Sequence, residues 1–177
     1  MKKINLVLLV VMASSIAAWS QSNVIKFNIL SPVVKTFNMS YERKINANSG
    51  FQLGFFYTGY SDDDTGESFK GFGITPEYRF YLSETEAPAG VYVAPFVRYQ
   101  RFDAEDDFGN KGTLTAFGGG LVIGRQWIFK ERVALDIFLG PSYVTSTFKQ
   151  TAGTNEIGSD TFDGFGVRFG VNLGLGF

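Results

Sequence analysis

The sequence predicts an all-β protein, a single eight-stranded antiparallel up-and-down transmembrane β-barrel. The first of three supporting observations is the segment from Phe165 to Phe177, in which apolar residues alternate with small or polar residues without a break. Successive side chains of a strand point to opposite faces, so this segment has one apolar face and one small, polar face. Such a strand is typical of a barrel wall whose outside contacts lipid.

The other two observations are the lack of a membrane helix in the sequence and the composition. After residue 20 there is no run of roughly 18 apolar residues, which is the length that a membrane helix needs. A membrane can otherwise be crossed only by a closed barrel, because every backbone N–H and C=O must be paired internally. The chain also contains 19 Phe, 8 Tyr and 21 Gly but only 5 Pro, and this composition suits a barrel of aromatic-rich strands.

The first part of the chain predicts a secretory signal peptide, residues 1–20, followed by an outer-membrane barrel domain, residues 21–177. Two lysines precede a mostly apolar stretch, and Ala18 and Ser20 are the small residues expected three and one before a cut at Gln21. A retained N-terminal helix is the alternative. Cleavage removes two of the 16 basic residues and leaves 14 against 17 acidic residues. That balance gives no indication of nucleic-acid binding.

Eight alternating segments follow one another in the mature chain, and most have the length of tilted membrane strands. The predicted strands are Val24–Leu30, Phe37–Ile45, Gly50–Tyr60, Lys70–Leu82, Val91–Phe102, Thr113–Phe129, Val133–Lys149 and Gly164–Phe177. Pro76, Pro95 and Pro141 lie inside these segments. Because proline cannot donate a ladder hydrogen bond, we expect β-bulges or nearby strand boundaries at these positions.

The lengths of the connections orient the predicted barrel with both termini in the periplasm. The outer connections are then Ser31–Thr36, Ser61–Phe69, Asp103–Gly112 and Gln150–Asp163, and the periplasmic ones are Asn46–Ser49, Ser83–Gly90 and Lys130–Arg132. Apart from the short first outer connection, this is the bacterial outer-membrane pattern of short periplasmic turns and longer external loops.

The placement of acidic residues separates this chain from a secreted, lipocalin-like barrel, which is the alternative fold. Of the 17 acidic residues, 14 fall in the connections, and only Glu42, Glu77 and Asp136 lie within predicted strands. A soluble barrel needs a solvated outer face, normally rich in Lys and Glu. The distribution therefore favours a membrane barrel.

The stretch Asn23–Leu30 followed by Phe37–Arg43 is similar to the opening of a family of small bacterial outer-membrane barrels, most of which have no assigned function. The resemblance implies an eight-stranded, OmpA/OmpX-like barrel integral to the bacterial outer membrane. It also implies that the outer-membrane assembly machinery recognises the last strand, which ends at Phe177. Such families are defined by shape, and shape does not give function.

The inward-facing positions of the predicted strands carry charges of both signs. The set is Lys26, Glu42, Glu77, Arg79, Arg98, Asp136 and Arg168, joined by the polar residues Gln52, Gln100 and Asn172. Isolated buried charges are very costly, so charges on opposite walls of a narrow lumen are expected to pair. Two interpretations stay open: a static lumen plugged by side chains, and an ion-pair gate that rearranges to open a narrow channel.

Catalysis and metal binding have little support in the sequence. The chain has no His and no Cys, which removes His-dependent catalytic triads and the preferred ligands of zinc, so we expect neither an enzyme nor a cofactor. The acidic stretch Asp62–Glu67 superficially resembles a calcium loop, but Gly66 stands where an oxygen ligand is required. Asp103 and the stretch Glu105–Asp107 form a second acidic cluster. We expect solvated external loops, with weak divalent-cation bridging to lipopolysaccharide as the alternative.

The predicted function is a structural or surface-interaction role for an integral outer-membrane barrel. A narrow, porin-like channel gated by lumen ion pairs is the alternative. The expected partners are outer-membrane lipids, lipopolysaccharide and the assembly machinery, and the sequence identifies no external ligand.

Overall fold

The computed structural model describes residues 22–61, 68–105, 110–152 and 161–177. They form a closed barrel in which each strand pairs antiparallel with its neighbours in the chain, and β1 pairs with β8. The strands are β1 Asn23–Asn28, β2 Thr36–Asn46, β3 Ser49–Ser61, β4 Ser68–Tyr81, β5 Gly90–Glu105, β6 Lys111–Phe129, β7 Val133–Ala152 and β8 Thr161–Gly176. The predicted all-β barrel of eight antiparallel strands is therefore confirmed. The predicted signal peptide lies outside the described residues.

Helical structure is limited to a single turn in the part of the chain that the structure describes. This is the 3₁₀ helix Ser31–Val34 between β1 and β2. No helix among these residues is both long enough and apolar enough to cross a membrane.

The two-residue period of each strand decides which side chains face the lumen. In β4, Thr75, Glu77 and Arg79 are buried, whereas the alternating residues Ile74 and Phe80 are exposed on the outside. The apolar faces predicted from the sequence thus point away from the barrel axis, and the charged faces point inward.

The strands are inclined to the barrel axis because the register advances by ten residues in one circuit. From Lys26, pairing leads to Ser40, Gly54 and Thr75; the register of the next pair of strands, fixed by Ile74 with Tyr99, continues this line to Arg98, and pairing then leads to Gly118, Val144 and Gly164. The register of β8 with β1 would place Gly164 opposite position 36, ten residues beyond Lys26. Eight strands with this shear have a tilt of about 40° and enclose a lumen that side chains can fill.

The barrel wall has a lateral notch, defined here as the opening between the Ile29–Lys35 segment and residues 161–171 of β8. β1 ends at Asn28, whereas β8 continues outward to Thr161. The outermost backbone hydrogen bond between the two sides joins Ile29 N to Val171 O at 3.0 Å. Beyond it, no described strand pairs with β8 on its β1 side.

The sequence predicts that β1 continues to Leu30, and this boundary is wrong because the Asn28 side chain turns the chain. Asn28 Oδ1 accepts hydrogen bonds from the backbone N–H of Leu30 at 3.0 Å and of Ser31 at 3.0 Å, and from the Ser31 hydroxyl at 3.1 Å. Asn side chains favour such turns by mimicking a backbone acceptor. Pro32, in the first turn of the 3₁₀ helix, then fits a helix start.

The three strand prolines do not produce bulges or strand ends, contrary to expectation. The register shifts in the described residues lie at Lys44/Asn46 and Lys111/Gly112 instead. Pro76, Pro95 and Pro141 keep ladder partners on one side only, namely Leu53, Leu121 and Val167. The backbone N–H of a residue in an antiparallel sheet points to only one neighbouring strand, so each proline interrupts one ladder and leaves the other intact.

Inward glycines make room for aromatic rings from neighbouring strands. A Cβ atom at Gly124 would lie 2.5 Å from the ring of Tyr92, and one at Gly170 would lie 2.6 Å from the ring of Phe138. These rings belong to an apolar cluster that also contains Tyr81 and Phe96. The small residues of the lumen face thus alternate with large ones, which lets the interior fill at high density.

Candidate functional site

The half of the lumen nearer the chain termini contains an ion-pair cluster, defined here as Lys26, Glu42, Glu77, Arg79 and Asp136. They come from β1, β2, β4 and β7, and each is at most 2% exposed. Inward parity on each strand brings them to the barrel axis. The cluster is therefore a layer of charge that crosses the whole lumen.

Arg79 and Lys26 are the cations of this cluster and share its carboxylates. Arg79 contacts Glu77 at 2.8 Å, Glu42 at 3.2 Å and Asp136 at 3.1 Å. Lys26 contacts Glu42 at 2.6 Å and Asp136 at 3.4 Å. Because Glu42 and Asp136 each face both cations, no charge of the cluster is left without an opposite charge, which is the condition for burying ions.

Neutral side chains complete the hydrogen bonding of the cluster. The Tyr81 hydroxyl donates to Glu42 Oε1, and the Tyr92 hydroxyl donates to Asp136 Oδ1 at 2.7 Å. Gln126 Oε1 accepts from Lys26 Nζ at 2.7 Å and from Arg79 Nη1 at 3.3 Å. The sequence pattern does not predict the roles of these three residues, although Tyr81 has the parity of Arg79 and Tyr92 that of Arg98.

The connection between β4 and β5 covers the mouth of the barrel near the termini. Ala87 is buried, and its N–H donates to Ala47 O at 2.8 Å. Pro88 O accepts a hydrogen bond from Gln126 Nε2 at 2.6 Å, directly beneath the cluster. At the rim, Lys44 contacts Glu86 at 2.5 Å, and this hydrogen bond and charge lower the pKa of the Glu86 carboxyl. The predicted turn Ser83–Gly90 is thus also a cover for the lumen.

The remaining two charged residues predicted for the lumen, Arg98 and Arg168, lie on the other side of the cluster. Arg168 Nη1 contacts Glu77 Oε2 at 2.7 Å, and its guanidinium lies 4.4 Å from the ring centroid of Phe96. Arg98 Nε donates to the Thr75 hydroxyl at 3.1 Å. It has no carboxylate within ion-pair distance among the described residues. The structure therefore joins six of the seven predicted residues by ion pairs and leaves Arg98 apart.

Arg98 and Arg168 line a cavity of about 330 Å³, called here the outer cavity. Its other polar lining includes Gln52, Ser40, Thr75 and Asn172, and its apolar lining includes Leu30, Phe55, Val167 and Phe169. Gln52 is 2% exposed, yet its Oε1 has no hydrogen-bond partner, and Arg168 Nε has none either. Orphaned buried polar atoms are rare in folded proteins. The outer cavity is therefore chemically incomplete, unlike the ion-pair cluster.

The acidic loops are only partly described. The stretch Asp62–Glu67 and residues 106 and 107 of the second acidic cluster lie outside the described residues. Asp103 accepts a hydrogen bond from Thr113 at 2.7 Å, and Glu105 contacts Lys111 at 3.0 Å. Within the described ranges, no group of three or more metal-ligating side chains occurs. Solvated external loops stay the prediction, and divalent-cation binding by them stays the alternative.

Comparison with known proteins places the chain in a family that is itself defined without a function. Residues 6–174 match the model of the family described as protein of unknown function (DUF3575), so the chain belongs to that family. No curated protein matches the chain.

Proposed function

We propose that this DUF3575 family member is an integral β-barrel of the bacterial outer membrane with a structural or surface-interaction role, and with a lumen plugged by side chains. The observation that carries the proposal is the inverted distribution of polarity. Large apolar side chains such as Phe27, Ile137 and Leu175 are exposed on the outside, whereas the charges of the ion-pair cluster are buried inside. Soluble monomers rarely expose apolar surface on this scale, and a lipid-facing barrel must.

The spacing of outward aromatic residues supports a membrane span. Tyr57, Tyr99, Tyr143 and Phe165 form one proposed girdle, and Phe51, Phe80 and Trp127 form the other. Trp127 is paired with Leu135, and Tyr143 lies eight residues further along β7. Eight residues extend about 26 Å along a strand, or roughly 20 Å across a membrane at the tilt of this barrel. That height is close to the apolar band of about 25 Å expected for outer-membrane barrels.

The barrel wall extends well beyond the proposed girdle of Tyr57, Tyr99, Tyr143 and Phe165, and this extension supports a surface role. Beyond Tyr99, β5 continues to Glu105, and beyond Tyr143, β7 continues to Ala152. β6 begins at Lys111, six residues before Phe117, which pairs with Tyr99. Six to nine residues of each strand therefore extend past the girdle, which is roughly 20–30 Å of strand. In our proposal, with both termini periplasmic, this wall faces the cell exterior among lipopolysaccharide. The resemblance of the chain supports insertion by the assembly machinery through the last strand and Phe177.

Cell fractionation and gel mobility test the proposal together. We expect the full chain, expressed in a Gram-negative host, to be recovered in the outer membrane and to resist extraction by alkaline carbonate. The unboiled protein should migrate differently from the boiled protein on a detergent gel, because a closed barrel has no edge at which to open. Recovery in the soluble periplasmic fraction, with one mobility before and after boiling, would overturn the proposal.

The alternative is a narrow channel gated by the ion-pair cluster. Between the outer cavity and Pro88, the described lumen is filled by side chains and not by backbone. Side chains can change rotamer, and this favours a channel that opens when they rearrange. Planar-bilayer recordings distinguish the two functions: discrete conductance steps of the wild-type protein indicate a channel, and silence indicates a plugged barrel.

A further inference from the structure

In the part of the chain that the structure describes, the charges that face the lumen do not balance. Four cations there face three carboxylates: the cations are Lys26, Arg79, Arg98 and Arg168, and the carboxylates are Glu42, Glu77 and Asp136. At the rim near the termini, Lys44 and Glu86 cancel each other. All three carboxylates already contact the cations of the cluster, so the excess positive charge lies with Arg98. An uncompensated cation in a confined lumen favours the binding of an anion.

The orphaned polar atoms lie at the same place as the excess charge. Among the described residues, the buried side-chain atoms without a hydrogen-bond partner are Gln52 Oε1 and Arg168 Nε, and both residues line the outer cavity. Arg168 Nε is a donor and requires an acceptor such as an oxyanion. Gln52 Oε1 is an acceptor and requires a donor, such as an O–H group. A phosphate monoester that carries one proton offers both.

Residues on both edges of the lateral notch also line the outer cavity: Leu30 on one edge, and Val167 and Phe169 on the other. Val167 and Phe169 on β8 are 68% and 66% exposed and line the cavity together with Leu30 and Phe55. In the proposed location, these outward residues contact acyl chains at the outer leaflet. A ligand held by its polar group at Arg98 can therefore keep its apolar chain in lipid.

We propose that the outer cavity binds the phosphate group of an anionic amphiphile, which enters through the lateral notch and leaves its hydrocarbon chain over Val167 and Phe169. Arg98 and Arg168 hold the phosphate oxygens, and Gln52 accepts the phosphate O–H. The proposal rests on the proposed membrane location. The volume of about 330 Å³ suits the polar part of such a ligand, because small-molecule sites begin near 300 Å³.

Calorimetric titration of the folded barrel in a non-ionic maltoside detergent tests the site. Dodecyl phosphate should bind in a saturable manner at one site, and inorganic phosphate should bind at least tenfold more weakly. Arg98→Gln should reduce the affinity for dodecyl phosphate about tenfold or more, because it removes a charge-assisted hydrogen bond. Arg101→Gln is the matched control, since Arg101 lies on the same strand, faces outward and contacts Asp103 at 3.2 Å. It should change the affinity less than twofold.

The gel mobility of every variant, with and without boiling, shows whether the barrel has folded. It therefore distinguishes a loss of binding from a failure to fold. A folded barrel that does not bind dodecyl phosphate overturns the site and leaves the proposed function standing. Equal binding by wild type and Arg98→Gln also overturns it, and so does inorganic phosphate binding as tightly as dodecyl phosphate, which would indicate a solute anion. If Arg98→Gln does not fold, Thr75→Val removes the hydroxyl that orients Arg98 and should weaken binding in the same direction.

Discussion

The two ends of the lumen use the same residue types in different ways. Near the termini, Arg79 contacts three carboxylates and is fully buried. On the other side of the cluster, Arg98 has the inward parity of its strand and donates to the Thr75 hydroxyl, but no carboxylate of the described residues lies within ion-pair distance of it. Parity places a charge inside the barrel, but the depth of the residue decides whether that charge is paired. The paired end suits stability, and the unpaired end suits binding.

The extent of the barrel wall explains why the charges are paired at one end of the lumen and not at the other. At the level of the ion-pair cluster, β1 pairs with both β2 and β8 and closes the circuit, and the charges of the cluster are at most 2% exposed. Asn28 ends β1, and its Nδ2 donates to Asn172 Oδ1 at 3.1 Å, while Asn172 Nδ2 donates to Asp136 at 3.1 Å. One asparagine pair thus connects the edge of the lateral notch to the cluster. Beyond that level the wall is interrupted, and the lumen contains a cavity.

The largest expected effect follows from removing a carboxylate from the ion-pair cluster. Glu42→Ala should destabilise the barrel by about 3–5 kcal/mol, because it leaves Lys26 and Arg79 with too little compensating charge in a buried site. Unfolding by urea in detergent or lipid vesicles measures this free energy. The variant should also increase the leakiness of the barrel in planar-bilayer recordings.

A double-mutant cycle of Glu42 with Lys26 identifies the partner, since their atoms are 2.6 Å apart. We expect a coupling of about 1–3 kcal/mol. Glu86→Ala, which removes an exposed carboxylate paired with Lys44, is the control and should leave the unfolding transition unchanged. The absence of coupling between Glu42 and Lys26 would show that this ion pair does not stabilise the barrel.

The next largest effect tests how deep outward-facing residues lie in the proposed membrane span. Val171→Arg should cost about 2–4 kcal/mol in folding titrations into bilayers, since Val171 faces outward near the middle of the proposed span. Tyr143→Arg, in the proposed outer girdle, should cost only about 0–1 kcal/mol. Equal tolerance of arginine at the two positions would refute the depth assignment and the strand directions on which it depends.

A smaller effect tests the neutral members of the cluster. Tyr92→Phe removes the hydroxyl that donates to Asp136 at 2.7 Å but keeps the ring that lies 4.2 Å from the Arg79 guanidinium. The expected loss is about 1.5–3 kcal/mol, as for other hydrogen bonds to charged groups. Tyr78→Phe removes a hydroxyl that donates to Ser49 at 2.9 Å, a neutral partner, and should cost only about 0.5–1.5 kcal/mol. Equal losses for the two variants would show that Asp136 does not depend on Tyr92.

The sequence predicts the barrel well because the period of two is a local property. Alternation placed every predicted charged residue on an inward position without knowledge of any contact. The contact partners of these residues could not be predicted in the same way. Lys26 and Asp136 are separated by 110 positions, and Gln126 and Pro88 by 38. These contacts depend on the register of the whole circuit, which a single sequence does not state. The end of β1 was missed for another reason, because Asn28 sits in an otherwise alternating pattern and only its turned side chain ends the strand.

The smallest expected effect distinguishes the two ends most directly. Arg98→Gln should change the free energy of unfolding by less than about 1 kcal/mol, because Arg98 lacks a carboxylate partner in the described residues and its loss relieves an excess of positive charge. Arg79→Gln, the same substitution one strand away in the paired end, should cost about 3–5 kcal/mol. Both variants can be measured in the same urea titration. If Arg98→Gln destabilises the barrel as strongly as Arg79→Gln, then Arg98 contributes to the packed interior, and the outer cavity is part of the plug rather than a site.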